Sequence, residues 1–148
     1  MVNPFDLRSV LLAKHAQHVV LVHFPIALFI CGVAFDLLSR GNRDSQLAGA
    51  AYLNLLVAAV SVLPVIATGL LAWQLVLDGQ SLRGLLLWHL VAAWLAALLI
   101  IATWWVHWRT RQSGRSVLPG YRIPIELFGV AIIALTAHLG GFLSGVNS

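Results

Sequence analysis

Three histidines, His23, His89 and His138, sit inside stretches otherwise too apolar to hold an ionisable side chain. Imidazole both ligates transition metals and exchanges protons near neutral pH, and inside a bilayer an ionisable group usually faces protein or a water-filled cavity. His23 opens HFPIAL, where Pro25 lacks an amide donor, releases the carbonyl of Leu21 and sets a polar side chain beside an expected kink. His89 follows Trp88, and His138 lies in AHLGG at Ala137 to Gly141. Each heads small residues at helical spacing: Ala27 and Ala34 with His23, Ala93 and Ala96 with His89, and Ala131, Ala134, Gly141 and Gly145 with His138. Small stripes mark helix-facing surfaces in membranes, so the three imidazoles are expected to point inward, towards one another. Two neutral imidazoles on facing helices are what axial ligation of a b-type haem requires. His23 and His138 are the expected pair, Gly141 would leave room for the macrocycle, and Arg83, Lys14 and Arg8 would meet its propionates. Three imidazoles together would instead make a copper or zinc site. The plainer alternative gives them no cofactor: each would bond a neighbouring helix, with Thr68, Gln74 or Ser144 as partner.

A second set lies at the opposite level. His107 is 18 residues from His89, which is five turns, so it shares the same helical face at a distance of ~27 Å. Asp36 and Glu126 reach that level and form with it a secondary polar cluster, of a kind that relays protons or simply anchors helices in the headgroup zone. His15 and His18 read as surface residues outside the first span.

The elements that position these residues follow from composition. The chain is 60% hydrophobic and 9% charged, with a mean hydropathy of +0.91, whereas soluble domains are about 25% charged. That defines an integral membrane protein with room in its 148 residues for one domain of about four spans. The first apolar run exceeds a signal-peptide core and no A-x-A-like site follows it, so it is expected to stay. Cys31 is the single cysteine and CxxCH is absent, which excludes covalent c-type haem attachment. Basic residues are scattered among loops rather than gathered on one face, which argues against nucleic acid as a partner.

Hydropathy and turn residues give spans at about 19–39, 47–77, 84–108 and 123–146. Residues 1–18 read as an interfacial helix or an extension of the first span. SRGNRDS at Ser39 to Ser45 and DGQSLR at Asp78 to Arg83 are polar turns, and RTRQSGRSVLPGY at Arg109 to Tyr121 is a basic loop. The second run is longer than a perpendicular crossing needs and is expected to bend at Pro64. Trp88 faces Trp104, Trp105 and Trp108 across the third run, the spacing of two aromatic belts. Short loops make consecutive helices antiparallel, giving an up-down-up-down four-helix bundle.

Orientation follows from arginines. The 1–2 and 3–4 connections carry Arg40, Arg43, Arg109, Arg111, Arg115 and Arg122, against Arg8, Lys14 and Arg83 on the other face. Six against three places the first face in the cytoplasm and both termini outside. Counted from the cytoplasmic ends, His23, His89 and His138 then lie at roughly 24, 28 and 22 Å, one common level in the outer half of the bilayer.

HFPIAL at His23 to Leu28, Asp36 closing that span, Trp88-His89 and AHLGG together resemble the bacterial membrane proteins grouped as domain of unknown function 2231, over essentially the whole chain. The resemblance implies a small four-helix inner-membrane domain, sometimes joined to or found beside Rieske and cytochrome proteins. It implies His23, Asp36, His89, His138, Gly140 and Gly141 as signature positions. The chain ends in GGFLSGVNS, where members continue through a Tyr and a Gly-rich turn. The expected function is an electron-transfer or accessory subunit binding haem b near the outer face. Its expected partners are a quinone, cytochrome c, a Rieske protein or a further copy of the chain, all within the lipid bilayer. A non-redox assembly subunit is the alternative.

Overall fold

A computed structural model describes residues 14–42, 45–75, 77, 79–114 and 117–144. They form four α-helices: α1 (Lys14–Asn42), α2 (Ser45–Leu75), α3 (Gly84–Gln112) and α4 (Arg122–Leu143). All four are long and apolar enough to cross a membrane. The fold is all-α, and no strand occurs among the described residues. The helix α1 is described from Lys14 and its candidate span from Gln17, so His18 lies inside the span and His15 on the helix before it, while Arg8 lies outside the described residues. The helix α2 runs as one α-helix with Pro64 inside it. At 31 residues it measures about 46 Å, well beyond the ~30 Å of a hydrocarbon core.

What each helix buries follows its 3.6-residue period. On α1 the buried face is Pro25, Phe29, Gly32, Val33 and Asp36, and on α4 it is Arg122, Glu126, Gly129 and Ile133. Phe29 and Leu55 are fully buried at the centre, with Ala58, Val62, Ala96, Ala97 and Ile100 around them. Two glycines make this packing possible. A Cβ on Gly32 would meet Leu55 Cγ at 2.9 Å, and one on Gly129 would meet Phe29 Cζ at 2.8 Å. The close approaches are therefore made by Gly32 and Gly129. Of the stripes assigned from sequence, Ala96 is buried, Ala93 and Gly141 are half-buried, Ala27, Ala34, Ala131 and Ala134 are exposed, and Gly145 lies outside the described residues.

The bundle consists of two closely packed pairs, α1 with α2 and α3 with α4. The α2/α3 seam is looser, and the α1/α4 seam looser still. Near the end of α1 and the start of α4 that last seam is closed by charge rather than by apolar packing.

Candidate functional site

The start of α4 sets the site. Pro119 and Gly120 prevent an earlier helix, and the amides of Arg122 and Ile123 donate to the carbonyls of Pro119 and Gly120 at 3.2 and 3.3 Å. Pro124 falls in the first turn, where its missing N–H would have had no intrahelical acceptor. Arg122 and Glu126 are one turn apart and project from the same face. Opposite them, α1 supplies Asp36 and α3 supplies His107. The helix α2 has no Asp, Glu, Lys, Arg or His at any position from Ser45 to Leu75.

These four side chains form one cluster. Arg122 Nη2 and Nε lie 2.7 and 2.9 Å from the same oxygen, Oδ2 of Asp36. Arg122 Nη1 donates to the carbonyl of Pro119 at 3.3 Å, and Nε is 3.8 Å from Glu126 Oε1. His107 Nε2 is 3.0 Å from that Glu126 oxygen. Exposure is 1% for Asp36, 3% for His107, 4% for Arg122 and 0% for Glu126, so the group is shielded from solvent and lipid alike. Asp36, His107 and Glu126 lie roughly one to one and a half turns inside the ends of their candidate spans, and Arg122 opens its own.

Three buried oxygens in this region have no hydrogen-bond partner: Asp36 Oδ1, Glu126 Oε2 and Thr103 Oγ1. Thr103 differs from its counterparts. Thr68, Thr110 and Thr136 each donate to the carbonyl four residues back, whereas the Thr103 hydroxyl, one turn from His107, does not. Buried carboxylate oxygens without a donor are costly, and they mark where a proton, water or cation would be held. With both carboxylates ionised, Arg122 charged and His107 neutral, the cluster has one net negative charge. One proton makes it neutral. A divalent cation would leave it positive, although a ligand atom each from Asp36, His107 and Glu126 lies within 4.8 Å of the others.

The structure thus brings together Asp36, His107 and Glu126, the secondary polar cluster of the sequence, and adds Arg122 and Thr103. Arg122 reads from sequence as a loop charge; its spacing of four from Glu126 is the signal that places both on one face.

His23, His89 and His138 have separate surroundings. His23 is exposed, with Nδ1 2.7 Å from the carbonyl of Val19 on its own helix. His138 is exposed and meets Phe142 edge-on, with ring centroids 4.9 Å apart. Both were expected to point inward. Each lies nine residues from a contact glycine, Gly32 or Gly129, and about 100° per residue turns it to the opposite side of its helix. His89 is half-buried and faces α4, with Nδ1 3.1 Å from the Thr136 carbonyl and Cε1 3.1 Å from where a Gly140 Cβ would stand. Thr68 does contact a histidine, but it is His18, at 3.3 Å, and Ser144 bonds the Gly141 carbonyl of its own helix. Arg83 is exposed just before α3.

Four apolar helices around a buried ion-pair cluster define a helical membrane protein with four candidate spans. The chain belongs to the family described as Predicted membrane protein (DUF2231), whose model matches residues 14–146. No curated protein and no solved structure matches it.

Proposed function

We propose that this protein holds one exchangeable proton at the Asp36, His107, Arg122 and Glu126 cluster and serves a proton-coupled step in the bacterial cytoplasmic membrane. The observation that carries this reading is the pair of unpartnered carboxylate oxygens beside a single guanidinium. The cluster is one proton short of neutrality, and net charge buried at a membrane depth is strongly disfavoured. Asp36, His107 and Glu126 supply places for that proton on α1, α3 and α4, and Arg122 supplies the fixed positive charge.

The excess of arginines at this end of the bundle supports a cytoplasmic side for it. With Arg122 taken into the ion pair, the count is five, Arg40, Arg43, Arg109, Arg111 and Arg115, against Arg8, Lys14 and Arg83. The proton would exchange with the cytoplasm and both termini would lie outside. Infrared difference spectroscopy of the reconstituted protein tests the site. A protonated-carboxyl band that shifts in D2O and changes in both Asp36→Asn and Glu126→Gln is expected. A spectrum without such a band, or with one untouched by both substitutions, sinks the reading, and stoichiometric metal in the purified protein would replace the proton with a metal ion.

Haem b and electron transfer to a quinone, cytochrome c or Rieske-type partner remain a second reading. It draws on His23, His89 and His138 lying near one depth: His89 bonds Thr136, two residues from His138. With His23 and His138 on exposed faces, a haem would have to sit against the outside of the bundle or between copies. A Soret band in protein purified from haem-replete cells is its test, and a colourless preparation removes it.

A further inference from the structure

The α2/α3 seam holds an open apolar groove of about 220 Å³, lined by Leu56, Ala59, Val60, Leu63, Ile101 and Trp104. It exceeds the ~150 Å³ apolar cavity that accepts a benzene-sized guest. On its wall stands Trp104, whose Nε1 is a buried N–H donor with no acceptor and whose ring stacks on Trp108 at 6.2 Å. One turn from Leu56 towards the start of α2, and two turns from Trp104 towards the end of α3, stand Tyr52 and Arg111. The Arg111 guanidinium lies 4.0 Å above the Tyr52 ring, and its Nη2 reaches the Ala48 carbonyl at 3.4 Å. The cation is thereby fixed at the groove's end while remaining exposed.

We propose that this groove binds one acyl chain of an anionic phospholipid, with the lipid phosphate on Arg111 and a lipid carbonyl as acceptor for Trp104 Nε1. Three features converge on that occupant. The groove opens on the side of the bundle that meets lipid, its lining is apolar apart from one indole N–H, and a pinned guanidinium stands at the end nearer the headgroups. Guanidinium forks match phosphate oxygens, and basic pockets between spans select anionic headgroups. Arg109, over the Trp105 ring at 5.7 Å, adds a second positive charge at the same end of α3. The site is independent of the proton cluster, to which α2 contributes no ionisable group.

Native mass spectrometry of the detergent-solubilised protein, titrated with phosphatidylglycerol or phosphatidylcholine of identical chains, reads the preference. Wild type is expected to retain phosphatidylglycerol about five-fold better, the scale of one interfacial cation. Arg111→Gln should bring that ratio close to one while some binding of both lipids persists. Val60→Trp, which fills the groove from its exposed side, should weaken both lipids together. Equal retention of the two lipids by wild type, or an unchanged ratio in Arg111→Gln, overturns the proposal. Should either variant fail to insert, brominated-chain lipids decide with wild type alone. Stronger tryptophan quenching by brominated phosphatidylglycerol than by brominated phosphatidylcholine supports the site, and equal quenching overturns it.

Discussion

The two ends of this bundle treat ionisable side chains in opposite ways. At the end formed by the close of α1 and α3 and the start of α4, Asp36, His107, Arg122 and Glu126 are gathered and buried. At the other, His18, His23, His89 and His138 turn to separate neighbours, two of them exposed. The difference lies in charge. A carboxylate or guanidinium in a span must find an opposite charge, whereas a neutral imidazole can satisfy one nitrogen on its own helix and stay at the surface. Ionised groups therefore dictate the packing, and neutral ones accept it.

Substitutions test this contrast. The largest effect is expected from Arg122→Met, which strands Asp36 and should cost about 3–5 kcal/mol in equilibrium unfolding in mixed micelles. Adding Asp36→Leu to it should restore a good part of that loss; a double variant as weak as the sum of the singles would show that the pair is not what closes the α1/α4 seam. Next is Gly129→Val, whose Cβ meets Phe29 at 2.8 Å and which should cost about 1–3 kcal/mol by overpacking. Phe29→Leu in the same chain should relieve part of it, and no relief would mean that the strain lies elsewhere. At the other end, His89→Ala removes a half-buried contact to α4 and should cost about 1–2 kcal/mol. His23→Ala and His138→Ala should each stay within about 0.5 kcal/mol of wild type. A loss from either comparable to Arg122→Met would abolish the contrast between the ends.

The same contrast explains what was legible in the sequence. Apolar run length gave four helices because bilayer thickness and a rise of about 1.5 Å per residue leave little freedom. His89 bonds Thr136, two residues before His138. Direction was not legible, since each residue adds about 100° and the buried face is chosen by the partner helix. Ala27 and Ala34 looked like a contact stripe, yet the choice was made by Gly32 beneath Leu55 and Gly129 beneath Phe29. Asp36, His107 and Glu126 were recognisable as a polar set because carboxylates in apolar runs are conspicuous. Arg122 was hidden by its place after a basic loop, though a lone intramembrane Asp already called for a cation.

The ion pair also bears on how the chain matures. Arg122 and Asp36 are 86 positions apart, and the helix carrying Arg122 is the last of the four to leave the ribosome. Until it arrives, Asp36 lacks the guanidinium it pairs with in the complete bundle, and the seam between the two helices stays open to lipid. The lone carboxylate is thus a built-in mark of an unfinished chain, and the salt bridge that erases it forms only when the first and fourth helices are both in place.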